Sequence, residues 1–121
     1  MKIIVTKDYE EMSLKAFEVL KGVVKSKPYA VLGLATGTTP LGLYHNMIED
    51  HKTHGTSYAH IRAVNLDEYQ GLPKDHPQSY AYFMRENLFK HLDIEESNSY
   101  IENGTAQNEA EECARYNKLL S

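Results

Sequence analysis

Two carboxylates stand side by side in the run Asn65-Leu66-Asp67-Glu68-Tyr69-Gln70-Gly71-Leu72. They fall where the apolar stretch Ile61 to Leu66 gives way to a Gly/Pro loop, which puts them at the end of a buried strand. A carboxylate held against a ligand and shielded from water can carry a proton between adjacent carbons. Neighbours on an extended chain point in opposite directions, so one of the pair can face a ligand while the other faces structure. Judged singly, the pair also reads as a solvated strand end. A second apolar stretch, Ala30 to Leu34, runs into Ala35-Thr36-Gly37-Thr38-Thr39-Pro40. Glycine lets a backbone approach a ligand closely, the threonines add hydroxyl donors, and Pro40 opens a helix whose free N–H groups favour an anion. The loop suits a phosphate dianion, although it is neither a P-loop nor a dinucleotide fingerprint. It reads almost equally as a strand-to-helix turn with Thr39 as a simple N-cap. Ligands of open α/β sheets gather outside the carboxyl ends of strands. A carboxylate and a phosphate loop at neighbouring strand ends describe an enzyme acting on a phosphorylated small molecule.

The remaining reactive residue types carry less. None of His45, His51, His54, His60, His76 and His91 has the spacing of a zinc site. His76, ahead of Pro77-Gln78-Ser79, reads as a helix-start residue. Tyr80, Tyr82 and Phe83 read as core, Glu111 and Glu112 as a solvated face, and Cys113 as a buried small hydrophobe.

Elements must hold these residues in place. Lys2 to Thr6 predicts a short buried strand. Asp8 then caps a helix, with Glu11 placed for a capping box and an apolar stripe at Met12, Ala16, Leu20, Val23 and Val24. Pro28 stops that helix. Tyr29 to Leu34 is a second strand, Pro40 to about His51 a helix, and Ile61 to Leu66 a third strand. Pro77 opens a helix through Tyr80, Phe83, Leu88 and His91. Tyr100-Ile101 is a short strand, and Asn108 to Leu119 a last helix. The strict alternation predicts a three-layer α/β/α fold with a doubly wound, mostly parallel, Rossmann-like sheet. The last helix ends at Leu119-Leu120-Ser121 with no strand after it, so the sheet reads as truncated, the first part of a larger domain.

Composition bounds the rest. The chain has 121 residues, a single-domain length, with 13 basic and 17 acidic residues and a formal charge of −4. That balance argues against a general nucleic-acid binder. The one cysteine excludes an intrachain disulfide and fits a cytoplasmic setting. No apolar run approaches the ~18 residues of a membrane span, and the opening residues turn acidic too soon for a secretory signal.

Leu32-Gly33-Leu34-Ala35-Thr36-Gly37-Thr38-Thr39-Pro40, Asn65-Leu66-Asp67-Glu68-Tyr69, Gly71-Leu72-Pro73, His76-Pro77-Gln78-Ser79-Tyr80 and Asn103-Gly104 together resemble the glucosamine-6-phosphate deaminase family, in order and over essentially the whole chain. The resemblance implies conversion of glucosamine 6-phosphate and water to fructose 6-phosphate and ammonia through an enolamine, without metal or organic cofactor. It implies that Thr36, Gly37, Thr38 and Thr39 hold the phosphate and that Asp67 is the base of the enolisation. Glu68 and Tyr80 are implied to lie at the substrate. The 6-phosphogluconolactonases share these features but typically carry Asp-Glu-Arg, where this chain has Asp67-Glu68-Tyr69. Sugar-phosphate-sensing domains of bacterial regulators are a non-catalytic alternative. The family continues with a Gly-rich strand end carrying an aspartate, a histidine and a glutamate, and with basic residues at the phosphate. Residues 1–121 therefore correspond to the N-terminal half of the domain. The implied partners are a phosphorylated amino sugar and either a C-terminal half or further copies of the chain.

Overall fold

The computed structural model describes residues 3–121, in which the chain alternates between strands that pair and helices that cross over them. Helix α1 (Tyr9–Ser26) begins at Asp8, whose carboxylate accepts the N–H of Glu11 at 2.8 Å. Strand β1 (Val31–Leu34) leads through the threonine loop into α2 (Leu41–His54). Strand β2 (Arg62–Asn65) leads through the carboxylate loop to α3 (Tyr80–Asn87), and β3 (Ser99–Tyr100) leads to α4 (Glu109–Leu120). The strands form one parallel sheet in the order β1-β2-β3, with Leu34 beside Asn65 and Val64 beside Tyr100. Parallel pairing brings all three carboxyl ends to one edge. This is the α/β fold that the alternation predicts.

The core gathers Leu34 and Ala63 from the sheet, Phe17 and Val24 from α1, and Tyr44, Met47 and Ile48 from α2. Met84 of α3, Leu88, Tyr58 and Ile61 complete it. Burying such side chains contributes roughly 1.5–3 kcal/mol each. The opposite face of the sheet is covered unevenly: Val64 is buried, whereas Val31 and Arg62 are exposed.

Several expectations change. Lys2 lies outside the described residues, and Ile3 to Thr6 form no strand: they pair with no strand among the described residues, and Ile3 and Val5 are 78% and 88% exposed. A strand persists only where a neighbour takes its backbone hydrogen bonds. The buried stripe of α1 is Ser13, Phe17 and Val24, with Leu20 packed beside them, whereas Met12, Ala16 and Val23 are exposed. Ser13 decides that rotation, because it is the surface on which Gly42 of α2 lands. A Cβ on Gly42 would lie 2.2 Å from Ser13 Oγ. Helix α3 starts at Tyr80 rather than Pro77, capped by Ser79, and breaks at Leu88 into a 3-10 turn over Phe89–His91. Cys113 is exposed, because α4 meets the rest of the molecule through Tyr116 and Glu112.

Candidate active site

The threonine loop is held from below by two tyrosines. The Tyr44 hydroxyl donates to the Ala35 carbonyl at 2.5 Å and accepts the Ala35 N–H at 3.1 Å, fixing the point where β1 ends. Burial pushes this phenol up, against the opposing bond to Ala35. From α1, the Tyr9 hydroxyl donates to the Thr38 carbonyl and accepts the Gly42 N–H, both at 2.8 Å. Between these anchors, the N–H groups of Thr36, Gly37, Thr38 and Thr39 donate to no protein acceptor among the described residues. Gly37 has φ +93°, and a Cβ built there meets nothing within 4 Å. Pro40, not Thr39, occupies the N-cap of α2, and no side chain caps that end. The loop thus presents consecutive backbone donors next to a positive helix end, the arrangement that favours an oxyanion.

Asp67 and Glu68 follow β2, one strand over. Asn65, buried, reaches back to the Leu34 carbonyl at 3.4 Å and ties the two strand ends together. The carboxylates then part. Glu68 turns to the N-terminus of α3, where it accepts the N–H of Tyr80 at 2.7 Å and of Ala81 at 2.9 Å. Ser79 Oγ takes the next amide, that of Tyr82. Glu68, read as a substrate residue, therefore has both oxygens engaged by a helix start, where a negative charge is favoured. Asp67 is exposed, and its carboxylate enters none of the hydrogen bonds among the described residues.

Tyr80 packs on the carboxylate loop. Its ring lies against Tyr69, centroids 4.6 Å apart. Its phenol is raised, first by hydrogen bonding with Tyr69, then by burial and by the charges of Tyr69 and Asp67, with Thr36 opposing. An open cleft of about 620 Å³ runs alongside, lined by Tyr69, Gln70, Leu72, Pro77, Gln78, Ser79, Tyr80 and Phe83.

Sequence reading missed a third contributor, the end of β3. Glu102 sits there with one carboxylate oxygen buried and unpartnered. Burial raises it, followed by the charges of Asp67, Glu68 and Glu112. Glu112, read as a solvated residue, pairs with Arg115 and accepts the Asn103 N–H at 2.7 Å. These bonds hold it down at about 2. His76 closes a turn, its Nδ1 accepting the Gln78 N–H at 3.1 Å. Among the described residues no three His, Cys, Asp or Glu side chains gather as metal ligands, and no helix is long and apolar enough to cross a membrane.

The chain is 52% identical over 120 residues to a glucosamine-6-phosphate deaminase of Geobacillus sp. (strain WCH70), covering 99% of this chain and 48% of that protein. It is 51% identical to the same enzyme of Thermoanaerobacter sp. (strain X514), again over 99% of this chain and 47% of the relative. Its backbone superposes on a solved monomeric glucosamine-6-phosphate deaminase with a TM-score of 0.96 at 44% identity, over 99% of this chain and 50% of the other. A 6-phosphogluconolactonase from Thermotoga maritima shares the fold, with a TM-score of 0.74 at 19% identity, over 98% of this chain and 52% of that one. The chain spans about half the length of the curated relatives it matches. The family model of glucosamine-6-phosphate isomerases and 6-phosphogluconolactonases matches residues 8–121, and this chain belongs to that family.

Proposed function

We propose that this chain supplies the proton-transfer base and the phosphate loop of a glucosamine-6-phosphate deaminase. The substrate would be the open-chain amino sugar phosphate. Asp67 removes the proton from C2, giving an enolamine, and returns it to C1. The resulting C2 imine takes up water and releases ammonia, leaving fructose 6-phosphate. Thr36 to Thr39 bind the phosphate through backbone N–H and hydroxyl groups, and Tyr80 spans the space between phosphate loop and base. Glu68 contributes by holding its loop against α3. This chemistry calls on no metal or organic cofactor. The reading places the protein among cytoplasmic hydrolases of amino-sugar catabolism, including N-acetylglucosamine utilisation.

One observation carries the proposal: among the described residues, four consecutive amides without protein acceptors and an exposed carboxylate without a hydrogen-bond partner stand at adjacent strand ends. Identity near 50% to enzymes of that name favours the amino sugar over a lactone. The test is Asp67→Asn in the full-length protein. The amide keeps the shape but cannot accept a C–H proton. Turnover should fall ~10²–10⁴-fold, the usual worth of a general base, with substrate binding retained. Near-normal ammonia release would remove Asp67 from the role.

A further inference from the structure

We propose that Gly104, backed by Asn103 and Glu112, is a positioning device for Asp67, an assignment that rests on Asp67 being the base. The turn after β3 and the loop after β2 touch at Gly104. The Gly71 N–H donates to the Gly104 carbonyl at 2.5 Å. On its other side Gly104 has no room: a Cβ would lie 2.1 Å from the Tyr69 carbonyl oxygen, 3.1 Å from that of Leu72 and 3.3 Å from Glu68 Cγ. Two of these three neighbours are backbone atoms, which no change of rotamer can move aside. Only glycine lets the two loops close to this distance.

The turn bearing Gly104 is itself braced. Asn103 Oδ1 accepts the Thr105 N–H at 3.1 Å and the Thr105 hydroxyl at 2.9 Å. Its own N–H is taken by Glu112 at 2.7 Å, and Glu112 is clamped by Arg115 at 2.8 Å. One turn along α4, Tyr116 donates to the Asn65 carbonyl at 2.6 Å and to that of Tyr100 at 3.1 Å. Asp67 is therefore bracketed. Asn65, two residues before it, is held by Tyr116. Glu68 and Tyr69, just after it, are held by α3 on one side and Gly104 on the other. Among the described residues the Asp67 carboxylate makes no hydrogen bond, so its position is inherited from these neighbours. A base displaced by about 1 Å loses on the order of 10²-fold in rate without losing the ability to bind substrate.

The test uses the full-length protein with glucosamine 6-phosphate and its C2-deuterated form. Gly104→Ala should lower kcat ~10- to 100-fold while KM changes by less than about threefold. The C2 deuterium isotope effect on kcat should rise, because a misplaced base makes C–H transfer limiting. A merely structural defect would reduce the amount of active enzyme and leave KM and the isotope effect alone. Glu112→Ala should move both readouts in the same direction, more weakly. Glu112→Gln, whose amide oxygen can still accept the Asn103 N–H, should restore them. If Gly104→Ala does not fold, the Glu112 pair decides by the same criteria. Wild-type kcat in Gly104→Ala, an unchanged isotope effect in folded variants, or equal behaviour of Glu112→Gln and Glu112→Ala overturns the proposal. A wild-type protein that releases no ammonia overturns the deaminase reading itself, and this assignment with it.

Discussion

Gly37 bears the phosphate assignment in its backbone. Its φ of +93° lies where L side chains are strained, and the space a Cβ would take is open. Gly37→Val in the full-length protein should strain the loop and push a branched side chain among its amides. KM for the sugar phosphate should rise at least ~10-fold, with the affinity for inorganic phosphate as a competitor falling in parallel, since two or more anion hydrogen bonds of ~1.5–3 kcal/mol are disturbed. Unchanged binding would remove the phosphate from this loop. Glu102 offers a different kind of test. Its carboxyl is raised in the folded protein by burial and by Asp67, Glu68 and Glu112. The folded state thus holds its proton more tightly than the unfolded state does, so stability falls as pH rises from the ordinary glutamate value through the raised one. Glu102→Gln should melt higher than wild type near pH 7.5, and the gap should close below pH ~4, where both states are protonated. A gap independent of pH would show that Glu102 ionisation is not the cause. The sequence exposed Asp67 and the threonine loop because their types and their places at strand ends are local facts. Tyr9, Tyr44 and Glu102 stayed hidden because their roles are set by partners elsewhere in the chain, and Gly104 was visible only as part of the Asn103-Gly104 resemblance, not as the point where two loops meet. Tyr9 meets Thr38 and Gly42, 29 and 33 positions away.

Helices α1 and α2 reach the site through one crowded crossing. Gly42 comes so close to Ser13 that a Cβ would meet Ser13 Oγ at 2.2 Å and its Cβ at 2.8 Å. The same residue gives its N–H to Tyr9, which braces the threonine loop. A salt bridge at the far end, Lys21 to the buried Asp50 at 2.9 Å, fixes the pair a second time. Burial pushes the Asp50 carboxyl up, but the bonds to Lys21 and His54 and the charge of Lys21 outweigh it and leave it lowered. Gly42→Ala should therefore force the helices apart and lower the unfolding free energy by about 1–3 kcal/mol, the usual cost of overpacking, measured by denaturant titration of the full-length protein. Because the crossing also places Tyr9, phosphate affinity should weaken in the same variant. Unaltered stability would mean that the helices adjust without cost. Periodicity located these helices but turned α1 by about one position. It ranked Met12, Ala16 and Val23 by hydropathy and had no means of knowing that a serine, small enough to receive Gly42, forms the contact. The alternation of elements was legible because β1 is a short apolar run between Pro28 and Gly37, and β2 lies within the apolar stretch Ile61 to Leu66 ahead of Gly71. Strand ends were less so: Tyr29, Ala30 and Leu66 lie outside β1 and β2, since pairing rather than apolar character sets where a strand stops.

The polypeptide taken alone presents apolar surface that a soluble monomer seldom leaves in water. Ile3, Val5, Val31 and Leu66 are each at least 60% exposed, and Val19 and Val23 of α1 add to them. Strands β1 and β3 are the two edges of the sheet among the described residues, and an edge offers unpaired N–H and C=O groups to any strand that approaches. Val31 couples these features, being an apolar residue on an edge strand with its side chain outward. Exposed apolar side chains beside an open sheet edge favour cover by more protein. The 121-residue polypeptide, expressed by itself, should accordingly self-associate, with a sedimentation coefficient that rises with concentration and with binding of a hydrophobic dye. It should also release no measurable ammonia from glucosamine 6-phosphate. On the proposed reading it carries a base and a set of neutral donors, whereas ring opening and compensation of the phosphate charge would need further groups, and the chain spans 48% of the Geobacillus relative's length. Adding a separately produced C-terminal half should suppress dye binding and restore turnover together, because covering the apolar surface and completing the site are one event. A monodisperse 121-residue monomer that deaminates the substrate unaided would contradict both parts, and it would move the ring-opening acid to a residue within this chain.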